Sequence, residues 1–169
     1  MKQKIAAVLA VLMLAFSQLA AAAGINQISA DDHVLQNDEI ALGGIMVGTP
    51  RSEVEAIYGA PTERTEPVKG AMFGEMMDTY TYGTSFKIIF VKDTVMYLNT
   101  NAHNGIATPA DVTVGDPADK IMQTYGKPWR DTKYEDGKEN FVYRDKYDIA
   151  IVFRTEHGKI TYIGIVGSE

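Results

Sequence analysis

The stretch GTPRSEVEAIYGAP, residues 48–61, decides the reading of this chain, because its frame returns as GDPADKIMQTYGKP at 115–128, 67 residues on. Of the 14 aligned positions five are identical, and all five are Gly, Pro or Tyr. Chance supplies about one identity in such a window, and residues that fix backbone geometry are the ones retained. One supersecondary unit is written twice. In each copy Thr49 or Asp116 is expected as N-cap, with Pro50 or Pro117 at the first helical position. Gly59 or Gly126 follows the last turn, and Pro61 or Pro128 prevents continuation. The apolar faces expected to be buried are Val54, Ile57 and Tyr58 in the first helix, and Ala118, Ile121, Met122 and Tyr125 in the second. Gly48, Pro50, Tyr58, Gly59 and Pro61, matched by Gly115, Pro117, Tyr125, Gly126 and Pro128, form the structural motif.

Downstream of each helix the pattern changes to that of strands. DTYTYG, FKIIFV and VMYLNT (78–100) correspond to ENFVYRD, YDIAIVFR and ITYIGIV (139–166), each set rich in β-branched and aromatic residues. The connections are too short for parallel crossovers, so they predict antiparallel hairpins. Asp136-Gly137 predicts a further tight turn, joining a first strand at 129–135 to the strand at 139. The expected fold class is therefore α+β: two tandem repeats, each a short helix packed on a three- or four-stranded antiparallel sheet. The first repeat is expected over 40–105 and the second over 106–169, with 106–114 linking them. One small helix cannot cover a whole sheet, so each sheet's other face must meet the second half, water or a partner.

At the amino end, Lys2 and Lys4 precede an unbroken apolar run from Ile5 to Phe16 and an Ala-rich stretch. This predicts a signal peptide over 1–23, cleaved after Ala22 or Ala23, and a polar N-terminal extension over 24–39. With no cysteine in the sequence there is no lipobox and no disulfide framework. Removing the two leader lysines takes the formal charge from −6 to about −8. Clustered Lys and Arg of the kind that track phosphates are missing, which argues against nucleic acid as a partner. No second transmembrane segment is expected, and the protein is expected to be exported, to the periplasm or beyond the cell.

The helix framed by Gly and by Tyr-Gly-x-Pro, followed by a meander, resembles the SmpA/OmlA (BamE-like) envelope domain family over about residues 40–166. The tandem arrangement is similar to that of the β-lactamase inhibitory protein. The resemblance implies a non-catalytic module that binds a protein partner, acting in the cell envelope, as an inhibitor of an exported hydrolase or as an envelope assembly factor. Unlike the single-domain lipoproteins of that family, this chain has no cysteine.

Chemistry-bearing patterns are sparse, and no cofactor is implied. Ser29, Ser52, Ser85 and Ser168 lie in no nucleophile elbow, and none of the three histidines has metal-ligand spacing. Asp31-Asp32-His33, with Asp38 and Glu39 nearby, is a dense acidic cluster that lacks the EF-hand Gly and Glu positions. An enzyme using paired carboxylates stays an alternative that sequence cannot single out. Two surfaces could meet a partner. Met72, Phe73, Met76 and Met77, in a stretch longer than its counterpart, would form either an adaptable binding lip or a plug between the halves. Trp129 and Tyr134, with Tyr80, Tyr82, Tyr143 and Tyr147, would lie either on an open sheet face or beneath the helices.

Overall fold

The Gly-x-Pro and Tyr-Gly-x-Pro frames enclose two short helices in the computed structural model, which describes residues 34–70 and 74–167. Helix α1 is Arg51–Tyr58 and α2 is Asp119–Tyr125. Both stop at a glycine: Gly59 (φ 73°, ψ −155°) and Gly126 (φ 70°, ψ −150°) return their N–H groups to Glu55 O and Met122 O. That backbone region is closed to residues with a Cβ, which is why both copies keep glycine. The leader (1–23) and the acidic cluster Asp31-Asp32-His33 lie outside the described residues.

The expected N-caps are corrected. Pro50 and Ala118 occupy the cap positions, because Thr49 and Asp116 close the turns before them. Thr49 Oγ1 accepts from Met46 N–H at 3.2 Å, and Asp116 Oδ2 accepts from Thr113 N–H at 2.9 Å. The buried faces are also narrower than expected. Val54, Ile121 and Tyr125 are buried and Tyr58 half-buried, while Ile57 and Met122 stand 54 % and 50 % exposed. Helices of two turns offer the sheet only a single stripe.

Nine strands follow the hairpin pattern. They are β1 (Glu63–Arg64), β2 (Val68–Lys69), β3 (Met76–Tyr82), β4 (Phe86–Val91) and β5 (Thr94–Thr100), then β6 (Arg130–Lys133), β7 (Lys138–Arg144), β8 (Ala150–Glu156) and β9 (Lys159–Val166). The tight turns Lys92-Asp93 and His157-Gly158 hold both central residues at positive φ, the type I′ geometry that matches strand twist. The order is β1-β3-β4-β5-β9-β8-β7-β6, with β2 also on β3, and every pairing is antiparallel. Two tandem helix-on-sheet units are therefore not what forms: the chain builds one continuous nine-stranded sheet with two short helices. The joint is β5 on β9, with Leu98 opposite Ile165 and Thr100 opposite Ile163. Both strands are apolar and would leave a row of backbone donors and acceptors open if each ended its own sheet, so pairing them removes two exposed edges at once.

Each helix is hung on this sheet by the motif residues. Gly48 (φ 85°) donates to Val95 O at 2.7 Å, and Gly115 (φ 99°) donates to Ile160 O at 2.8 Å. Pro50 and Pro117 bridge Thr94 and Lys159, the first residues of β5 and β9. At the other helix ends, Tyr82 and Tyr143 donate their hydroxyls to Gly59 O at 3.2 Å and Gly126 O at 2.8 Å. Pro61 is half-buried and Pro128 buried. Val54 and Ile121 then pack with Ile88, Phe90, Phe153 and Ile165 in a single core, to which Leu35, Ile40, Leu42 and Ile45 also belong.

A charged clamp fixes the start of α1. Arg51 grips Asp78 with two hydrogen bonds of 2.8 and 2.6 Å, reaches Asp93 at 2.8 Å, and lies over the Phe90 ring at 4.1 Å from its centroid. Arg64 adds a second cation to Asp78 at 3.3 Å. Asp78 is buried, and its removal takes from the largely buried Arg51 the partner of two of its hydrogen bonds, leaving it only Asp93. Asp78→Ala is expected to lower the unfolding free energy by about 2–3 kcal/mol in urea titrations, whereas Lys133→Ala, which breaks an exposed pair with Glu139, stays within about 0.5 kcal/mol.

Gly126 has open space around its missing Cβ. Any cost of Gly126→Ala is therefore backbone strain, expected at about 1–3 kcal/mol in the same titration; an unchanged midpoint would contradict the helix-stop geometry.

Candidate functional site on the second face of the sheet

Strand alternation sends Tyr80, Tyr82 and Tyr143 toward the helices, which settles their two possible readings: they are core. The neighbours of those residues along the strands point to the opposite face. There Met77, Ile89, Val91, Tyr97, Val142 and Val152 are all buried, yet none belongs to the core beneath the helices. The two faces of this sheet thus carry separate apolar groups, and both described helices serve only one of them.

The middle of the second face is polar. Tyr97 on β5 and Tyr162 on β9 meet hydroxyl to hydroxyl. Tyr162 leans along its own strand, and a Cβ at Gly164 would collide with its ring, so glycine at 164 is what lets the ring lie there. Arg154 on β8, directly opposite Tyr162, stacks its guanidinium 4.7 Å from the Tyr162 ring centroid. Arg154 Nε donates to Asn140 Oδ1 at 3.3 Å, and Asn140 Nδ2 donates to the Tyr134 hydroxyl at 3.0 Å. Asn99, opposite Gly164 and 4 % exposed, has a buried Nδ2 with no hydrogen-bond partner among the described residues. Burial pushes both phenols above the usual tyrosine range, Tyr97 far above it, and the positive charge of Arg154 acts in the opposite direction on each. At neutral pH the cluster therefore holds two uncharged hydroxyls beside one cation.

The residues singled out in the sequence scatter across the molecule. Met72 and Phe73 lie outside the described residues. Met76 is 54 % exposed, while Met77 turns in to the second face and packs against Gly70. Trp129 is half-buried, with the Arg130 and Arg144 guanidinium carbons 4.7 and 4.3 Å from its ring centroid. Tyr134 is 37 % exposed and joins the polar cluster through Asn140. Tyr147 is exposed in the β7–β8 turn, where Lys146 approaches its ring. His103 donates from Nδ1 to Val114 O at 2.7 Å, His157 sits in the β8–β9 turn, and buried Ser85 accepts from Asn104. Asp38 and Glu39 lie in a 3₁₀ turn, where Glu39 accepts from Gln36 N–H. Among the described residues no group of His, Cys, Asp or Glu is arranged to hold a metal.

Tyr97, Asn99, Asn140, Arg154 and Tyr162 were missed. A signal for them exists: each is a polar or aromatic residue at a face-sharing position within an otherwise apolar strand. It becomes readable only when the register across β5, β9, β8 and β7 is known.

No protein-family model matches the sequence, and no curated protein matches it. Among solved structures the chain is similar to a cysteine-rich secretory protein from Staphylococcus aureus (TM-score 0.54, 10 % identity, 81 % of this chain and 50 % of that one). It is also similar to an extracellular protein containing an SCP domain from Bacillus anthracis (TM-score 0.51, 8 % identity, 86 % and 50 %). A DUF4309 family protein from Bacillus subtilis aligns at TM-score 0.44 and 12 % identity over 85 % and 86 %. The chain spans half the length of the first two proteins, and at these identities the likeness is one of fold. Neither of the first two is an SmpA/OmlA (BamE-like) protein or a β-lactamase inhibitory protein, so that resemblance is corrected. It rested on a glycine-stopped helix and a meander, a local unit that unrelated folds can share. Among the described residues no helix is long and apolar enough to cross a membrane.

The raised phenol ionisation has a consequence for stability. A tyrosine that ionises higher in the folded than in the unfolded state stabilises the fold below the unfolded value near 10, and that stabilisation is lost as pH rises through the folded value. The unfolding free energy is expected to fall as pH is raised above about 10 in urea titrations. The decline should become shallower in Tyr97→Phe without vanishing, because burial also raises Tyr58, Tyr82, Tyr125 and Tyr143.

Proposed function

We propose that this chain is an exported, non-catalytic module that binds a protein partner, in the cell envelope or outside the cell, through the second face of its sheet. The observation that carries the reading is the aromatic and guanidinium cluster of Tyr134, Arg154 and Tyr162, part-exposed on that face beside apolar residues that are themselves buried. Aromatic rings and arginines on an apolar ground are what protein-binding surfaces concentrate. Export is supported by the Lys2 and Lys4 leader pattern and by the secretory and extracellular proteins among its fold neighbours. A binding role is also consistent with how reactive groups are used: His103 ties a loop to Val114, and Asp78 takes the Arg51 and Arg64 cations. The sheet edges are short, Glu63–Arg64 and Val68–Lys69 at one end and Arg130–Lys133 at the other, and mostly charged, which disfavours strand addition.

The test compares two faces of one molecule. The full chain with a carboxy-terminal tag is used to capture partners from envelope and secreted fractions, beside a second-face variant (Lys87→Glu/Tyr134→Asp) and a helix-face variant (Ile57→Asp/Met122→Asp). All four positions are at least partly exposed, and circular dichroism checks that each variant is folded. One protein retained by the wild type and the helix-face variant, but reduced at least about tenfold by the second-face variant, is the expected result. The opposite pattern would move the contact to the helices, and retention of nothing by the folded wild type would count against a binding module.

A further inference from the structure

We propose that the cavity between the amino-terminal arm and the β7–β8 turn binds a primary ammonium group on a short alkyl stem, with Asp145 as its anion. The inference does not rest on the reading of the second face. Leu35 donates its backbone N–H to Arg144 O at 3.0 Å and bridges Asp145 in parallel, which lays the arm at 34–37 against the end of β7. Between them is a cavity of about 80 Å³. One water needs only about 10–15 Å³, so there is room for several heavy atoms. Among the lining residues Leu35 and Asp145 are each 2 % exposed and form the floor. Asn37 is exposed, as are Val34 at 42 % and Tyr147 at 60 %, and these make an open mouth.

The floor carries a half-satisfied carboxylate. Asp145 Oδ1 accepts from the N–H groups of Tyr147 and Ile149 at 2.8 and 2.9 Å, while Oδ2 is buried with no hydrogen-bond partner among the described residues. The cations on either side of it are turned elsewhere. Arg144 pairs with Asp148 at 2.7 Å, and Lys146 Nζ lies 4.8 Å from the Tyr147 ring centroid. Asp78, the other buried carboxylate among the described residues, takes two arginines. A buried carboxylate oxygen left unmet is costly, which makes this one a strong attractor for a positively charged donor. The geometry selects the kind of donor. Oδ1 already accepts two bonds, so a guanidinium cannot place its paired bonds on both oxygens, whereas an ammonium needs only one oxygen. Asn37 adds an amide oxygen at the mouth for a second ammonium hydrogen. A calcium ion takes six to eight oxygens, and the lining supplies a single carboxylate. Val34 and Leu35 give the stem apolar walls, and the Tyr147 ring, which already draws Lys146, is a surface that favours a cation. The overall charge of −6 favours the approach of cations.

The probe is n-butylammonium chloride, titrated at pH 7 and constant ionic strength into the ¹³C,¹⁵N-labelled full chain up to about 50 mM, a range that resolves weak affinity. The Asp145 carboxyl carbon and the Tyr147 and Ile149 N–H signals report binding, because those two amides bond to the same carboxylate. A saturable shift is expected, with half-saturation at about 1–10 mM for a ligand of this size. It should weaken at least tenfold with n-butanol, which has no charge, and with butyltrimethylammonium, which keeps the charge and loses the donors. The same loss is expected in Asp145→Asn, which leaves an oxygen for the two turn amides and removes the charge. No saturable shift, equal binding of n-butanol, or an unchanged response in folded Asp145→Asn would each overturn the proposal. Calcium saturating the same signals at a lower concentration than butylammonium would overturn the choice of an ammonium. If Asp145→Asn unfolds, the comparison of butylammonium with n-butanol in the wild type decides. Doubly capped lysine, titrated alongside, separates the two sources of this chemistry. Saturation within about threefold of butylammonium assigns the site to a lysine side chain of another protein, and saturation by the free amine alone assigns it to small amines. The second-face variant Lys87→Glu/Tyr134→Asp is expected to bind butylammonium as the wild type does, so the two proposals stand or fall separately.

Discussion

Everything in this structure depends on the antiparallel pairing of Thr94–Thr100 with Lys159–Val166. These are the last strands of two meanders, and four consecutive pairs from Tyr97–Val166 to Thr100–Ile163 join them. Without that ladder each meander would end in an apolar edge with unmet backbone groups, an aggregation hazard as well as a free-energy cost. With it, nine strands share one sheet, and among the described residues its edges are the short segments β1 and β2 at one end and β6 at the other, mostly charged. The same joint brings Tyr97 against Tyr162 and places Asn99 opposite Gly164.

The helices matter to this arrangement as weights on one side of the sheet. Gly48 and Gly115 bond the incoming chain to β5 and β9, and Tyr82 and Tyr143 hold the outgoing ends from the strands that lie farther out. Each helix is thus tied at both ends to its own meander, while the loops at 40–48 and 106–114 fill the space over the central strands through Leu42, Ile45, Val112 and Val114. Such double tethering explains how helices of eight and seven residues, too short to be stable alone, keep fixed positions. The Arg51 clamp strengthens only the first of them. Its second-copy counterpart is Ala118, so the two motif copies share backbone geometry without sharing side-chain chemistry.

The second face follows from the same economy. A sheet buried on one side only would alternate apolar with polar residues along each strand, but β4, β8 and β9 are apolar on both sides over most of their length. The polar exceptions concentrate where β5, β9, β8 and β7 run side by side. They are mutually engaged through Tyr97–Tyr162, Arg154–Tyr162 and Arg154–Asn140, and among the described residues the terminal donors of Arg154 and the amide of Asn99 are left over. A polar cluster this well held, and still incompletely satisfied, is where this fold concentrates unspent hydrogen-bonding capacity.

Local sequence determined what depends on neighbouring residues. The strands fall within a few residues of their alternating apolar runs, the helices stop at Gly59 and Gly126, and the hairpins turn at Lys92-Asp93 and His157-Gly158, because φ preference and period-two patterning act over a handful of positions. Tyr80 and Tyr82 share a face for the same reason. Thr49 and Asp116 were misread as caps since their side chains had a nearer use in the preceding turn, and Ile57 and Met122 were misread as buried since periodicity does not say how wide a stripe the sheet will cover. Tertiary structure alone decided that β5 pairs with β9. A strand edge offers the same row of N–H and C=O groups to any partner, so nothing in VMYLNT or ITYIGIV names the other. The full candidate site exists only through that choice, because it sets Tyr97 and Asn99 of β5 beside Asn140, Arg154 and Tyr162 of the β7–β8–β9 meander, whose mutual contacts follow from local hairpins.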